Sequence, residues 1–126
     1  MVLRVPSRDT WSLLAALAVL VLAALSWDGL RFGLAVASSE SRPSLLDEAE
    51  WGKPVPAFRK RFGAGTAEAG MLHWLADNDF EVDRRAGSGT RIIRSLPCNE
   101  RVLVSWVATD GIISESNAVV SEAGCL

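Results

Sequence analysis

The sequence predicts an α+β protein: one N-terminal transmembrane helix, then a small two-layer domain with one or two helices on a three- to four-stranded antiparallel sheet. Three observations predict it. Residues 13–25 form an apolar run with no polar atom in any side chain. A helical period over residues 67–78 gives way after Phe80 to alternation with a period of two. Asp110-Gly111 lies between two apolar-rich segments and is the strongest short-range hairpin signal in the chain. Helices first and strands afterwards is the order of an α+β fold, with the helices covering one sheet face.

Ser12, Ser26 and two tryptophans extend the apolar run to residues 11–27. As a helix this is about 25 Å long, near the lower limit for the hydrocarbon core. Trp11 and Trp27 stand where indoles anchor at the two membrane interfaces. Asp28 and Arg31 come directly after it, where a cleavable signal would have a short polar region and a small-residue site. The expectation is an uncleaved signal anchor over residues 11–30. Two alternatives stay open: cleavage after Ala35-Val36-Ala37, an A-x-A match, and a buried helix of a soluble protein. Arg4, Arg8 and the α-amino group precede the run, opposed by Asp9. The positive-inside rule therefore keeps residues 1–10 in the cytoplasm and exports the C-terminal part of the chain. In a bacterium this means the inner membrane, crossed once, with the C-terminal domain in the periplasm; the alternative is a secreted or periplasmic protein after signal cleavage. No cysteine lies in this region, which excludes lipoprotein-type anchoring.

Residues 31–43 read as a linker, serine-rich towards the end. The domain spans residues 44–126. Ser44 is placed to cap a short helix running to Trp51, with Asp47 in its first turn. Lys53-Pro54-Val55-Pro56 ends that helix and runs extended. Phe58, Arg59, Lys60, Arg61 and Phe62 are the interaction candidates, suited to anionic lipid or an acidic groove on a partner. The plainer reading has both phenylalanines packed on the domain and the bases in water. Thr66 is read as the N-cap of the main helix, whose Ala67, Met71, Leu72, Trp74 and Leu75 share an apolar face. Strands come next at residues 80–83, with Phe80 and Val82 inward, and at 90–94 after a turn at 86–89. The best strand covers residues 101–109: Val102, Val104, Trp106 and Ala108 point one way, Leu103, Ser105 and Val107 the other. Residues 112–116 return. Trp51, Trp74 and Trp106 are expected in the core.

The two cysteines are Cys98 and Cys125. With Thr109 facing Ile112 across a two-residue turn, Val102 faces Val119 and Cys98 faces Ala123. Cys125 then lies two residues past its partner, a gap that a bulge closes. A disulfide of this kind fits an oxidising compartment, as the topology argument independently requires. Two free thiols are the alternative.

Residues 43–126 carry nine Lys/Arg against twelve acids. That balance argues against a nucleic-acid binder. His73, the single histidine, lies opposite the apolar helix face with Asp77 one turn on, and no nucleophile is tied to it by sequence. Gly63-Ala64-Gly65-Thr66 lacks the remaining elements of a phosphate loop. Asp77, Asp79, Glu81 and Asp83 lack the glycine and terminal glutamate of a calcium loop. Two sulfurs and one histidine are too few for a closed zinc site. No catalytic residue, cofactor, metal site or small-molecule ligand is expected.

Gly65-Thr66, a leucine-bearing helix, a phenylalanine-led strand and a tryptophan-bearing strand ending in Asp110-Gly111-Ile112 together resemble the small outer-membrane-assembly lipoproteins of the BamE type. They also resemble similarly built exported bacterial proteins. The resemblance covers about 50 residues and implies a helix-helix-strand-strand-strand fold acting as a non-enzymatic accessory to larger complexes. The family's lipid-bearing cysteine has no counterpart, so attachment would come from the apolar run. The expected function is a non-catalytic, single-pass accessory or interaction protein, with membrane lipid and membrane-associated proteins as partners. A small exported enzyme or ligand-binding module is the alternative.

Overall fold

A computed structural model describes residues 8–125. These divide after Ser38 into two units. Residues 1–7, including Arg4 of the flank that sets the expected orientation, lie outside the described residues, as does Leu126.

The first unit is one helix, α1 (Arg8–Ala37). Alanine and leucine, the best apolar helix formers, dominate it, and Gly29 and Gly33 do not interrupt it. Its 30 residues span about 45 Å. The stretch Thr10–Ala37 is long and apolar enough to cross a membrane, and none of its most apolar window is buried. That is not the burial of a core helix in a soluble fold. The helix extends seven residues past the expected end at residue 30, so the linker of residues 31–43 is helical for its first half.

The second unit contains a 3₁₀ turn (Ser44–Leu46), α2 (Pro56–Arg61), α3 (Glu68–Asp77) and strands β1 (Glu81–Asp83), β2 (Ser88–Ile93), β3 (Cys98–Thr109) and β4 (Ile112–Cys125). The four strands form an antiparallel sheet in the order β1-β2-β3-β4. The fold class is the expected α+β. Pro43 precedes the first turn without a side-chain cap, and the expected helix from Ser44 to Trp51 closes as that single turn. Pro56 supplies the preset backbone of a first helical residue and starts α2, a helix that no periodic pattern in the sequence marks.

The core face of the sheet presents Ile93 from β2, Val102, Val104 and Trp106 from β3, and Ile113, Ala118 and Val120 from β4. Leu46, Val55, Phe58, Phe62, Met71, Leu75 and Phe80 pack with them. Phe58, Phe62, Trp74 and Phe80 form a ring cluster with centroid spacings of 5.2–5.7 Å. Val82 has the core-side parity expected of it but is 38% exposed, because β1 is an edge strand of three residues. Trp51, expected in the core, is 46% exposed.

β4 is the longest strand and ends nine residues beyond the expected limit. Its outer edge is covered by non-strand chain. Gly52 and Val55 donate to Val120 and Ala118 carbonyls at 2.8 and 2.9 Å, while Gly65 and Ile113 pair with Ile113 and Thr66 carbonyls. Covering an edge in this way protects it from pairing with another chain.

Candidate functional site

On α1, Trp11 and Trp27 are exposed, and the Arg31 guanidinium lies 5.6 Å from the Trp27 ring centroid. Sixteen residues of helix set the two indoles about 24 Å apart along the axis.

The hairpin joins the two sulfurs. Asp110 and Gly111 both have positive φ, 54° and 77°, as a type I′ turn requires. Thr109 faces Ile112. The register then slips by one residue between Val107 and Ala108, and again between Asn99 and Glu100. The first slip puts Val102 opposite Val120 in place of the expected Val119; the second puts Cys98 opposite Cys125. The two residues missing from a bulge-free register are thus supplied by two separate bulges. The sulfurs are bonded at 2.02 Å.

α2 sorts the interaction candidates into two groups. Phe58 and Phe62, one turn apart, are buried and so are removed as direct contacts. Arg59, Lys60 and Arg61 are exposed. The Arg61 guanidinium lies 5.3 Å from the Phe62 ring centroid. Gly63 comes next because its Cα passes close to the Arg59 carbonyl: a Cβ there would sit 2.5 Å from that oxygen.

Two amides of the glycine-threonine turn, and that of Glu68 beyond it, are engaged within the domain. Gly65 N–H donates to Ile113 O, Thr66 N–H to Gly63 O and Glu68 N–H to Gly111 O. Thr66 Oγ1 donates to Gly63 O at 2.7 Å and does not cap α3, whose N-cap is Ala67. An anion would have to displace these bonds. His73 is 79% exposed at its side chain and pairs with Asp77 at 3.2 Å along the outer helix face. In the acidic run, Asp83 accepts the amides of Arg85 and Ala86 and so shapes the turn into β2. Two surface grooves, of about 310 and 270 Å³, are lined respectively by Leu45, Pro54 and Val55 among others, and by Glu40, Asp79 and Arg91 among others. Neither includes His73 or the 63–66 turn.

A node that the sequence does not reveal lies at Glu100, 8% exposed on the core-face side of β3. Arg42 donates through Nε at 2.8 Å and through Nη2 at 2.5 Å to its two carboxylate oxygens. Trp51 Nε1 donates to the same carboxylate at 2.8 Å. The remaining Arg42 nitrogen donates to Ala49 O at 2.9 Å. The hydrogen bond from Arg42 holds the Glu100 carboxyl below the usual carboxylate range, against the opposing effect of burial, and Trp51 adds to the lowering. Nearby, Glu40 N–H donates to Arg94 O at 2.6 Å, and the Arg94 amide donates back to the Glu40 carboxylate. The polar stretch expected to be a free tether is therefore docked on the sheet from Glu40 onward. Nothing local marks Arg42 for this role, because its partner is 58 residues away.

In comparisons with known proteins, the chain matches no protein-family model, no curated protein and no solved structure.

Proposed function

We propose that this chain is a non-catalytic, single-pass membrane protein whose disulfide-bearing domain faces away from the cytoplasm and works as an accessory within a larger membrane or envelope complex. The observation that carries the reading is α1: an exposed apolar helix of membrane-spanning length joined to a domain with its own core. The Cys98–Cys125 bond supports an oxidising compartment for that domain. His73 on an open helix face, and a 63–66 turn whose Gly65 and Thr66 amides are already bonded, offer little to the enzymatic alternative. The test is co-purification of the full chain from membranes in mild detergent, with protease accessibility of the domain in intact and opened cells. The expected result is a stable assembly whose domain is cut only from the outer side. Recovery as a lone, water-soluble species with reduced thiols overturns the reading.

One observation favours the second reading, a secreted or periplasmic domain. The A-x-A match ends at Ala37, next to the unit boundary after Ser38. Cleavage there would leave Glu40, Arg42 and their bonds in the product. The intact mass of the native protein separates the two: a product beginning at Ser38 establishes cleavage, and a full-length mass excludes it.

A further inference from the structure

We propose that Arg59, Lys60 and Arg61 form a ridge that rests on anionic phospholipid headgroups and holds one face of the domain against the bilayer; this rests on the membrane-anchored reading above. Two buried phenylalanines fix α2. Phe58 and Phe62 lie 5.2 Å apart, and each ring is 5.7 Å from Trp74. Two buried residues one turn apart set the roll of a helix about its axis. At 100° per residue, Lys60 lies opposite the buried pair, with Arg59 and Arg61 on the two flanks of the helix. Lys60 is thereby turned outward, and Arg59 and Arg61 beside it are exposed, Arg61 leaning along the Phe62 ring.

Charge makes this ridge distinct. No ion pair is described for Arg59, Lys60 or Arg61; the same holds for Arg85, Arg94 and Arg101, and what separates the ridge from these is that its three bases are consecutive. They are the one run of three consecutive bases in a chain whose net charge is −2. An acidic domain as a whole is repelled by an anionic surface, so only a local cationic ridge can approach one. The attraction is felt within about 8 Å at physiological salt. Three bases alone hold a free domain weakly, and stable membrane association takes two signals. Here α1 is the first. Ser38 and Ser39 are the chain between the end of α1 and Glu40, so the tether to that first signal is short.

The same geometry disfavours a protein partner at this site. A protein interface is usually centred on an aromatic or aliphatic anchor seated in a pocket. The two phenylalanines that would serve are already committed to the core. Headgroups need only charge.

The chain has two lysines, Lys53 and Lys60, which makes a built-in comparison. The full chain is reconstituted through α1 into phosphatidylcholine vesicles with and without phosphatidylserine. Amine acylation at the two lysines is then read by mass spectrometry. On anionic vesicles, acylation of Lys60 relative to Lys53 is expected to fall several-fold, to recover in high salt, and to show no such fall in the double variant Arg59→Gln/Arg61→Gln. An unchanged ratio on the two bilayers overturns the proposal, as does a fall that survives in the double variant. Protection of Lys60 that needs an added envelope protein, and not anionic lipid, overturns it in favour of a partner. Failure of the membrane reading shows separately, as a chain that does not float with vesicles of either composition.

Discussion

Glu100 occupies a position where parity on β3 calls for an apolar side chain. A carboxylate survives there because Arg42 meets it with a two-pronged hydrogen bond and Trp51 takes one of the same oxygens. Removing one member leaves the other charge largely buried and unpaired. Glu100→Ala is therefore expected to cost about 3 kcal/mol, with Arg42→Ala similar and the double variant less than additive, measured by urea unfolding. The pH dependence has a definite sign. The folded-state pKa of Glu100 is depressed, so its stabilisation is complete above the unfolded carboxylate value near ~4.3 and is lost as pH falls through the lower folded value. Unfolding free energy measured from pH 6 downward should fall more steeply in the wild type than in Glu100→Gln. A second residue with a single permitted identity is Gly87. Its φ is 65°, and an added Cβ would lie 2.4 Å from the Trp106 carbonyl oxygen, while its own carbonyl accepts the Trp106 amide. Gly87→Ala combines left-handed backbone strain of about 1–2 kcal/mol with a clash against β3.

At the level of elements, α2 is six residues long and cannot be stable by itself. Phe58 within it and Phe62 at its C-cap hold it. Phe58→Ala is expected to destabilise the domain by about 3–5 kcal/mol, whereas Lys60→Gln, on the exposed arc, should change stability by no more than about 0.5 kcal/mol. Thermal unfolding of the two variants distinguishes them. The β3–β4 hairpin shows how turn chemistry and long-range pairing divide the work. Asp110-Gly111 fixes the start of the register, and two bulges then shift it by one residue each. The first bulge also changes which residues of β4 face inward: Ile113, then Ser116, Ala118 and Val120. Alternation with one fixed phase therefore ends near the bulge, which is why the sequence marks the strand only as far as residue 116. Ser116 is tolerated inside because its hydroxyl donates to Phe62 O at 2.6 Å.

For the whole molecule, the disulfide closes the far end of the hairpin, joining cysteines 27 residues apart in sequence. Replacing both cysteines with serine is expected to lower stability by about 3–4 kcal/mol in the chain-entropy model, a large fraction for a domain of this size. Denaturant titrations of the oxidised, reduced and doubly substituted protein check it: the last two should coincide. The docking of Glu40 and Arg42 also means that the domain begins almost where α1 stops.

The sequence alone determined whatever its own neighbours dictate. The apolar helix, the Asp110-Gly111 turn, the inward face of β3 and the α+β order come from composition, periodicity and turn chemistry within a few residues. Tertiary structure decided the rest: the exposure of Trp51, the helix at Pro56, the two bulges, and the Arg42–Glu100 pair across 58 residues. Those features depend on burial against, and hydrogen bonds to, groups far along the chain. A buried charge gains its stability only from a partner that folding brings to it, and no local pattern records which partner that is.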